Sequence, residues 1–183
     1  MLSDVAIKCF IDAGDVNIVS RNDINIRSAS ICLKLDDTIG IFSESSKEID
    51  PDDSSTYPEL NTVIINDDFI IKPNQIILAS TLEHIGLSNK ISGHISNISG
   101  LARLGLNVIL STHISPGFGW SEPRPITLEI HNVSSSPIVL RPNMRICHLI
   151  LFELNPPASF GYDDAFPNKY RNNKASKSEY SNC

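Results

Sequence analysis

Ser99-Gly-Leu-Ala-Arg103-Leu-Gly-Leu, followed by Pro116-Gly-Phe and then Ile126-Thr-Leu-Glu129-Ile, is the part of the chain on which its fold and chemistry turn. Ser99 and Arg103 stand four residues apart, so one helical turn places them on the same face. Glu129 lies among apolar residues in a strand-like run, where a carboxylate costs free energy unless partners hold it. A carboxylate gripped by Ser and Arg is a candidate proton shuttle; a structural Arg–Glu pair capped by Ser is the plainer alternative.

Outward from that turn the sequence reads mostly as strands. Short runs rich in Ile and Val are expected at Ile24 to Ile26, Ala29 to Leu35, Thr38 to Phe42, Thr62 to Ile65, Phe69 to Ile71 and Gln75 to Ser80. Beyond it they resume at Asn107 to Ser111, Ile126 to Asn132, Ile138 to Leu140 and Ile146 to Leu154, with a turn at Pro142-Asn143. A helix is expected from Ser3, whose hydroxyl suits an N-cap, to Gly14. Many short strands with one or two short helices predict a mainly β domain, an antiparallel barrel or jelly roll, over residues 1–155. The acidic, Ser- and Pro-rich stretch from Ser43 to Glu59 reads as a solvated loop. Residues 156–183 read as a polar tail able to close over an anionic ligand.

Composition narrows the function. The chain has 183 residues, 41% of them hydrophobic, and a net charge of −6, which suits one domain with a core. No basic stripe appears before the tail, which argues against a nucleic-acid partner; a small phosphorylated molecule needs only a few local cations. No apolar run of membrane-spanning length and no signal-peptide layout is present, so a cytoplasmic protein away from membranes is expected. Cys9, Cys32, Cys147 and Cys183 are scattered and read as free thiols. The His and Cys spacings lack the zinc-deaminase signature, so no protein-bound metal and no zinc is expected.

Several segments, in order, resemble the dCTP deaminase family within the wider dUTPase-like superfamily. They are the Leu2-Ser-Asp opening, Ser28-Ala-Ser-Ile-Cys-Leu-Lys-Leu, Ile71-Lys-Pro-Asn-Gln-Ile-Ile-Leu, and Ser99 to Leu106. The series continues through Pro116-Gly-Phe, Thr127-Leu-Glu129, Pro137 to Ile146 and Lys169-Tyr-Arg-Asn. The resemblance implies a homotrimer of distorted β-barrels with sites between subunits, and hydrolytic deamination of dCTP to dUTP and ammonia. Mg2+ would arrive on the triphosphate, and dTTP is a possible inhibitor. Glu129 matches the family's proton shuttle, held by Arg103 and Ser99. Tyr162, Lys169 and Asn173 fall at triphosphate positions, and Thr112, Ser115 and Gly100 are further candidates for substrate contact.

The chain also departs from that pattern. Where relatives carry Gly-Arg-Ser-Ser, it has Asn97-Ile98-Ser99-Gly100, so a guanidinium and a hydroxyl expected at the phosphates are missing. Losing one charge-assisted contact costs roughly 1.5–3 kcal/mol. Ser115 stands where an acid would serve dUTP hydrolysis, which argues against a second, diphosphohydrolase activity. Arg124 and Trp120, in a longer loop before Ile126, are candidates to reach a nucleotide in compensation, or simply members of a Pro-rich surface hairpin. Three readings follow: a working dCTP deaminase; an impaired nucleotide-binding homologue with a regulatory or structural role; and a deaminase retuned to another pyrimidine nucleotide. His131, two residues after Glu129, is expected on the same strand face.

Overall fold

The computed structural model describes residues 1–167 and 174–180. Helix α1 covers Asp4–Asp12, with the Ser3 hydroxyl accepting from the Ala6 N–H and Gly14 beyond it at φ +77°. Strands follow as β1 (Val16–Val19), β2 (Asn25–Arg27), β3 (Ser30–Phe42), β4 (Leu60–Ile64), β5 (Phe69–Ile71), β6 (Ile76–Leu87) and β7 (Ile91–Asn97). The one-turn helix α2 (Ser99–Ala102) leads to β8 (Leu106–Asn107), β9 (His113–Ile114), β10 (Arg124–Asn132), β11 (Ile138–Leu140) and β12 (Arg145–Glu153). A further turn, α3 (Tyr162–Ala165), lies in the segment read from sequence as a tail. Among the described residues no helix is long and apolar enough to cross a membrane.

Every pairing is antiparallel, and the main sheet runs β8-β10-β6-β3-β12-β7-β9. Curling comes from the long strands. The N-terminal half of β3 pairs with β12 and its C-terminal half with β6 and β4. Register shifts between Leu35 and Ile39, and between Pro125 and Thr127, bend β3 and β10 where the sheet turns over. The concave side closes on a continuous aliphatic core that includes Ile31, Leu33, Ile39, Ile77, Leu128 and Leu149. Each such side chain, when fully buried, contributes about 1.5–3 kcal/mol of transfer free energy. The result is the mainly β, antiparallel architecture expected, with the sheet curled into a half-barrel.

Several elements differ from the sequence reading. The two strands expected at Ala29 to Leu35 and Thr38 to Phe42 are one, because Asp36 does not break it. Its carboxylate is buried but paired with Arg21 at 2.9 Å and Lys174 at 2.5 Å. The strand expected to stop at Ser80 continues to Leu87, since Thr81 and Glu83 find partners inside. Strands β1 and β7 were not anticipated. Of the strand expected over residues 107–111 only Asn107 pairs, together with Leu106 before it; the segment after them is pinned instead by the Asn97 and Asn107 amides.

Candidate active site

Strand β10 positions the candidate chemistry. Arg124, Ile126, Leu128, Ile130 and Asn132 are buried, and the intervening Pro125, Thr127, Glu129 and His131 are half-buried on the other face. Strand alternation therefore aligns Glu129 with Thr127 and His131, as the spacing predicted. Glu129 Oε2 accepts the Ser111 N–H at 3.2 Å. Burial raises the carboxyl above its ordinary range, opposed by the backbone donors of Ser111 and Leu110. Glu129 thus holds its proton more readily than a solvated glutamate.

A cavity of about 500 Å3 opens in front of it. Its walls include Ile76, Leu78, Leu110 and Ile126 on the apolar side, and Ser111, His113, Ser115, Thr127 and Tyr162 on the polar side. Tyr162 is delivered there by a close backbone crossing. A Cβ on Gly117 would run into the Gly161 backbone, so the Pro116-Gly117-Phe118 turn and the segment before α3 touch directly. The Tyr162 N–H donates to the Pro116 carbonyl at 2.8 Å.

The remaining expected residues divide clearly. Ser115 and Tyr162 line the cavity. Half-buried Thr112 does not line it; its carbonyl accepts the Ile95 N–H at 2.8 Å. Ser99, Gly100 and Arg103 are exposed and outside the cavity, so one chain does not bring the trio together. The reason is topological. Helix α2 bridges from β7, near one end of the strand order, to β8 at the other, and its turn faces outward. The Arg103 N–H bonds the Ser99 carbonyl at 3.1 Å, so the shared face predicted from their spacing does form, on the surface. Lys169 and Asn173 lie outside the described residues.

Arg124 is not a free ligand. Its side chain is 8% exposed, bonds Asp163 at 2.6 Å and stacks over the rings of Phe118 and Tyr162 at 4.6 and 5.7 Å. Burial pushes the Asp163 carboxyl up, but the hydrogen bond and charge of Arg124, with Ser121, outweigh it and hold it below the ordinary range. Trp120 is half-exposed and does not line the cavity. The sequence reading passed over Ser111, Thr127 and the Ser176-Lys177-Ser178 segment, all of which line the cavity. Only Thr127, two residues before Glu129, carried a signal that could have found it. Among the described residues no group of three or more His, Cys, Asp or Glu side chains gathers as for a metal ion.

A profile described as dCTP deaminase-like matches residues 1–154. The chain belongs to the dCTP deaminase-like family. It is 32% identical over 168 residues to a protein of Methanobrevibacter smithii named "dCTP deaminase, dUMP-forming", covering 88% of this chain and 84% of that protein. Similarity to proteins of the same name reaches 35% over 167 residues in Corynebacterium efficiens, covering 88% and 83%, and 35% over 178 residues in Streptomyces avermitilis, covering 93% and 90%. The fold is shared with the crystal structure of a dCTP deaminase from Agrobacterium tumefaciens at TM-score 0.60 and 17% identity, over 82% of this chain and 46% of that one. It is shared too with a dUTPase of EIAV at TM-score 0.51 and 13% identity, over 81% and 97%. Family membership supports a nucleotide ligand and dCTP deamination as the class of activity.

Proposed function

We propose that the chain hydrolyses dCTP to dUTP and ammonia, with Glu129 moving the protons. The observation that carries this reading is the half-buried Glu129 carboxyl, raised by burial, at the wall of a cavity with apolar sides. Glu129 takes a proton from water as its oxygen attacks C4 of cytosine, and delivers it to N3. It then takes the proton of the new hydroxyl and passes it to the amino group, which leaves as ammonia. A carboxyl whose pKa is raised serves both directions of transfer better than one at the ordinary value. Ser111 keeps one carboxylate oxygen in place through its N–H.

Ser99 and Arg103, exposed on their own chain, are the groups a second copy would present to Glu129 in a homotrimer. There Arg103 would hold the carboxylate and limit the rise in its pKa, and Ser99 would orient the water. Mg2+ enters as part of the substrate, on the triphosphate, while Ser115 and Tyr162 line the cavity that receives the nucleotide. Deamination stopping at dUTP rests on Ser115, a hydroxyl where an acid would activate water for diphosphate release. The name of the relatives favours the second outcome, dUMP with pyrophosphate. Ile98 and Gly100, in turn, favour an impaired or retuned homologue.

Purified protein with Mg2+ and, separately, dCTP, dCMP or deoxycytidine, followed by ammonia release and chromatography of the products, separates these readings. Turnover of dCTP to dUTP, lost in Glu129→Gln, is expected. Accumulation of dUMP and pyrophosphate overturns the dUTP assignment alone. Turnover of only the shorter substrates supports retuning, and no turnover with dCTP still raising Tm supports a binding homologue.

A further inference from the structure

Tyr162 reaches the cavity wall because the chain fixes it from two directions. Its N–H donates to the Pro116 carbonyl at 2.8 Å, which ties its backbone to the turn before Phe118. Its ring packs against Phe118 and Phe166, with centroids 5.9 and 5.2 Å away and planes tilted by 57° and 50°. The next residue, Asp163, is buried and gathers donors from the chain around the start of β10. They are the Gly119 N–H at 3.3 Å, the Ser121 hydroxyl at 3.1 Å and the Arg124 guanidinium at 2.6 Å. Gly119 sits at φ +62°, and a Cβ there would run into the Ile85 carbonyl of β6, so this loop lies directly on the sheet.

Arg124 joins these contacts. It is the first residue of β10, opposite Ile85 of β6, and the same strand carries Glu129. Its guanidinium bonds Asp163 through one nitrogen and stands 4.6 Å from the centre of the Phe118 ring and 5.7 Å from that of Tyr162. Nε of Arg124 is buried and, among the described residues, has no hydrogen-bond partner. A buried donor left unmet costs free energy, so stability alone does not favour this arrangement. Its effect is positional. One strand holds Glu129 directly and, through Arg124, holds Tyr162 on the wall of the same cavity.

We infer that Arg124 is a positioning residue for capture of the nucleotide: with Asp163 it sets the place of Tyr162, the side chain that meets the substrate. This rests on the nucleotide reading above and adds to it a residue that acts through Tyr162 rather than on the substrate. The charge of Arg124 is met by Asp163 and stays with the protein. Tyr162 is held at the wall before ligand arrives, so little ordering is needed on binding. Arg124 lies on the buried face of β10 and Glu129 on the other, so loss of Arg124 weakens capture and leaves the proton-transfer group in place.

The test is a double-variant cycle on the full-length protein with Mg·dCTP: parent, Arg124→Met, Tyr162→Ala and the two together, read as calorimetric Kd and as steady-state KM and kcat. Arg124→Met keeps an apolar body against Phe118, and a Tm well above the assay temperature checks that each variant is folded. Tyr162→Leu replaces Tyr162→Ala if the smaller side chain fails that check. Arg124→Met is expected to raise Kd and KM by about three- to tenfold, the scale of one misplaced neutral hydrogen bond, with kcat within about twofold. Tyr162→Ala weakens binding at least as much. Adding Arg124→Met to it changes Kd by less than about twofold, because the residue it positions is gone. Losses that multiply in the double variant, an unchanged Kd in Arg124→Met, or a fall in kcat alone overturns the assignment and leaves the nucleotide reading standing. A parent that neither binds nor converts Mg·dCTP overturns the nucleotide reading, and the assignment with it.

Discussion

Asp163→Ala removes one half of the ion pair that fastens α3 to the rim of the cavity. The Arg124 and Asp163 side chains are 8% and 9% exposed, so the variant leaves a buried guanidinium without its counter-charge. Breaking such a pair from one side costs about 3–5 kcal/mol. Two features place the value near the lower end. Arg124 remains over the Phe118 ring at 4.6 Å, which keeps part of its stabilisation. The other donors to Asp163, the Gly119 N–H at 3.3 Å and the Ser121 N–H and hydroxyl at 3.4 and 3.1 Å, make long bonds, and Ser121 is exposed and can turn to water. A loss of about 3 kcal/mol corresponds to a fall in Tm of about 6–12 °C for a chain of this size. Arg124→Met keeps an apolar body between Phe118 and Tyr162 and leaves Asp163 its Gly119 and Ser121 donors, so it should cost less. The double variant buries no charge at all and should be more stable than Asp163→Ala alone. Differential scanning calorimetry of the four proteins measures the cycle. Losses that simply add, or an Asp163→Ala shift below 2 °C, would refute the reasoning.

Glu129→Gln should abolish deamination without loss of fold, since it removes a half-buried carboxylate and keeps an acceptor for the Ser111 N–H; a folded variant that still releases ammonia contradicts the proton-shuttle role. Ile98→Arg with Gly100→Ser should tighten dCTP binding by about tenfold or more while moving Tm by only about 2 °C. A Cβ at Gly100 meets nothing within 4 Å, so the added side chain has room, and unchanged affinity would locate the phosphate site elsewhere. Glu83 is buried, with Oε2 on the Lys34 N–H and Oε1 unpartnered among the described residues, and burial raises its carboxyl above the ordinary 4.5. The folded state therefore binds this proton more tightly than the unfolded state, and the stability it contributes is present below the ordinary value and lost as pH rises through the folded value. Glu83→Gln removes that slope, so urea midpoints of parent and variant should diverge as pH increases above 4.5, and parallel profiles would contradict it.

The parts of the fold that the sequence made legible are those whose stabilisation is local. The apolar run of β10 placed Glu129 in a strand, and the capping Ser3 with Gly14 bracketed α1. Misreadings fall where a polar residue is held by something distant. Asp36 looked like a strand break because its partners, Arg21 and Lys174, lie far from it in the chain. Strand β7 was hidden by Gly93 and His94, yet Gly93 is where β7 packs so closely that a Cβ would meet Leu149 at 2.8 Å. Arg124 read either as a candidate to reach a nucleotide or as a member of a Pro-rich surface hairpin, because nothing near it in sequence reveals Asp163. The candidate site divides in the same way. Glu129 was visible from its own strand, and Thr127 could have been found from the same strand face, whereas Ser111 and Lys177 reach the cavity only once the half-barrel has curled and residues 174–178 have crossed it.

That division carries a consequence for how the site works, on the reading proposed above. Glu129 sits on β10, between strands β8 and β6, with the other face of its strand in the packed core, so its carboxyl position is set by the sheet. Residues 174–178 lie across the same sheet as a strap held by three side-chain anchors, of which the Lys174 pair with Asp36 is the most charged. Substitutions of Glu129 and of the β10 residues beside it should act on proton transfer and hence on kcat.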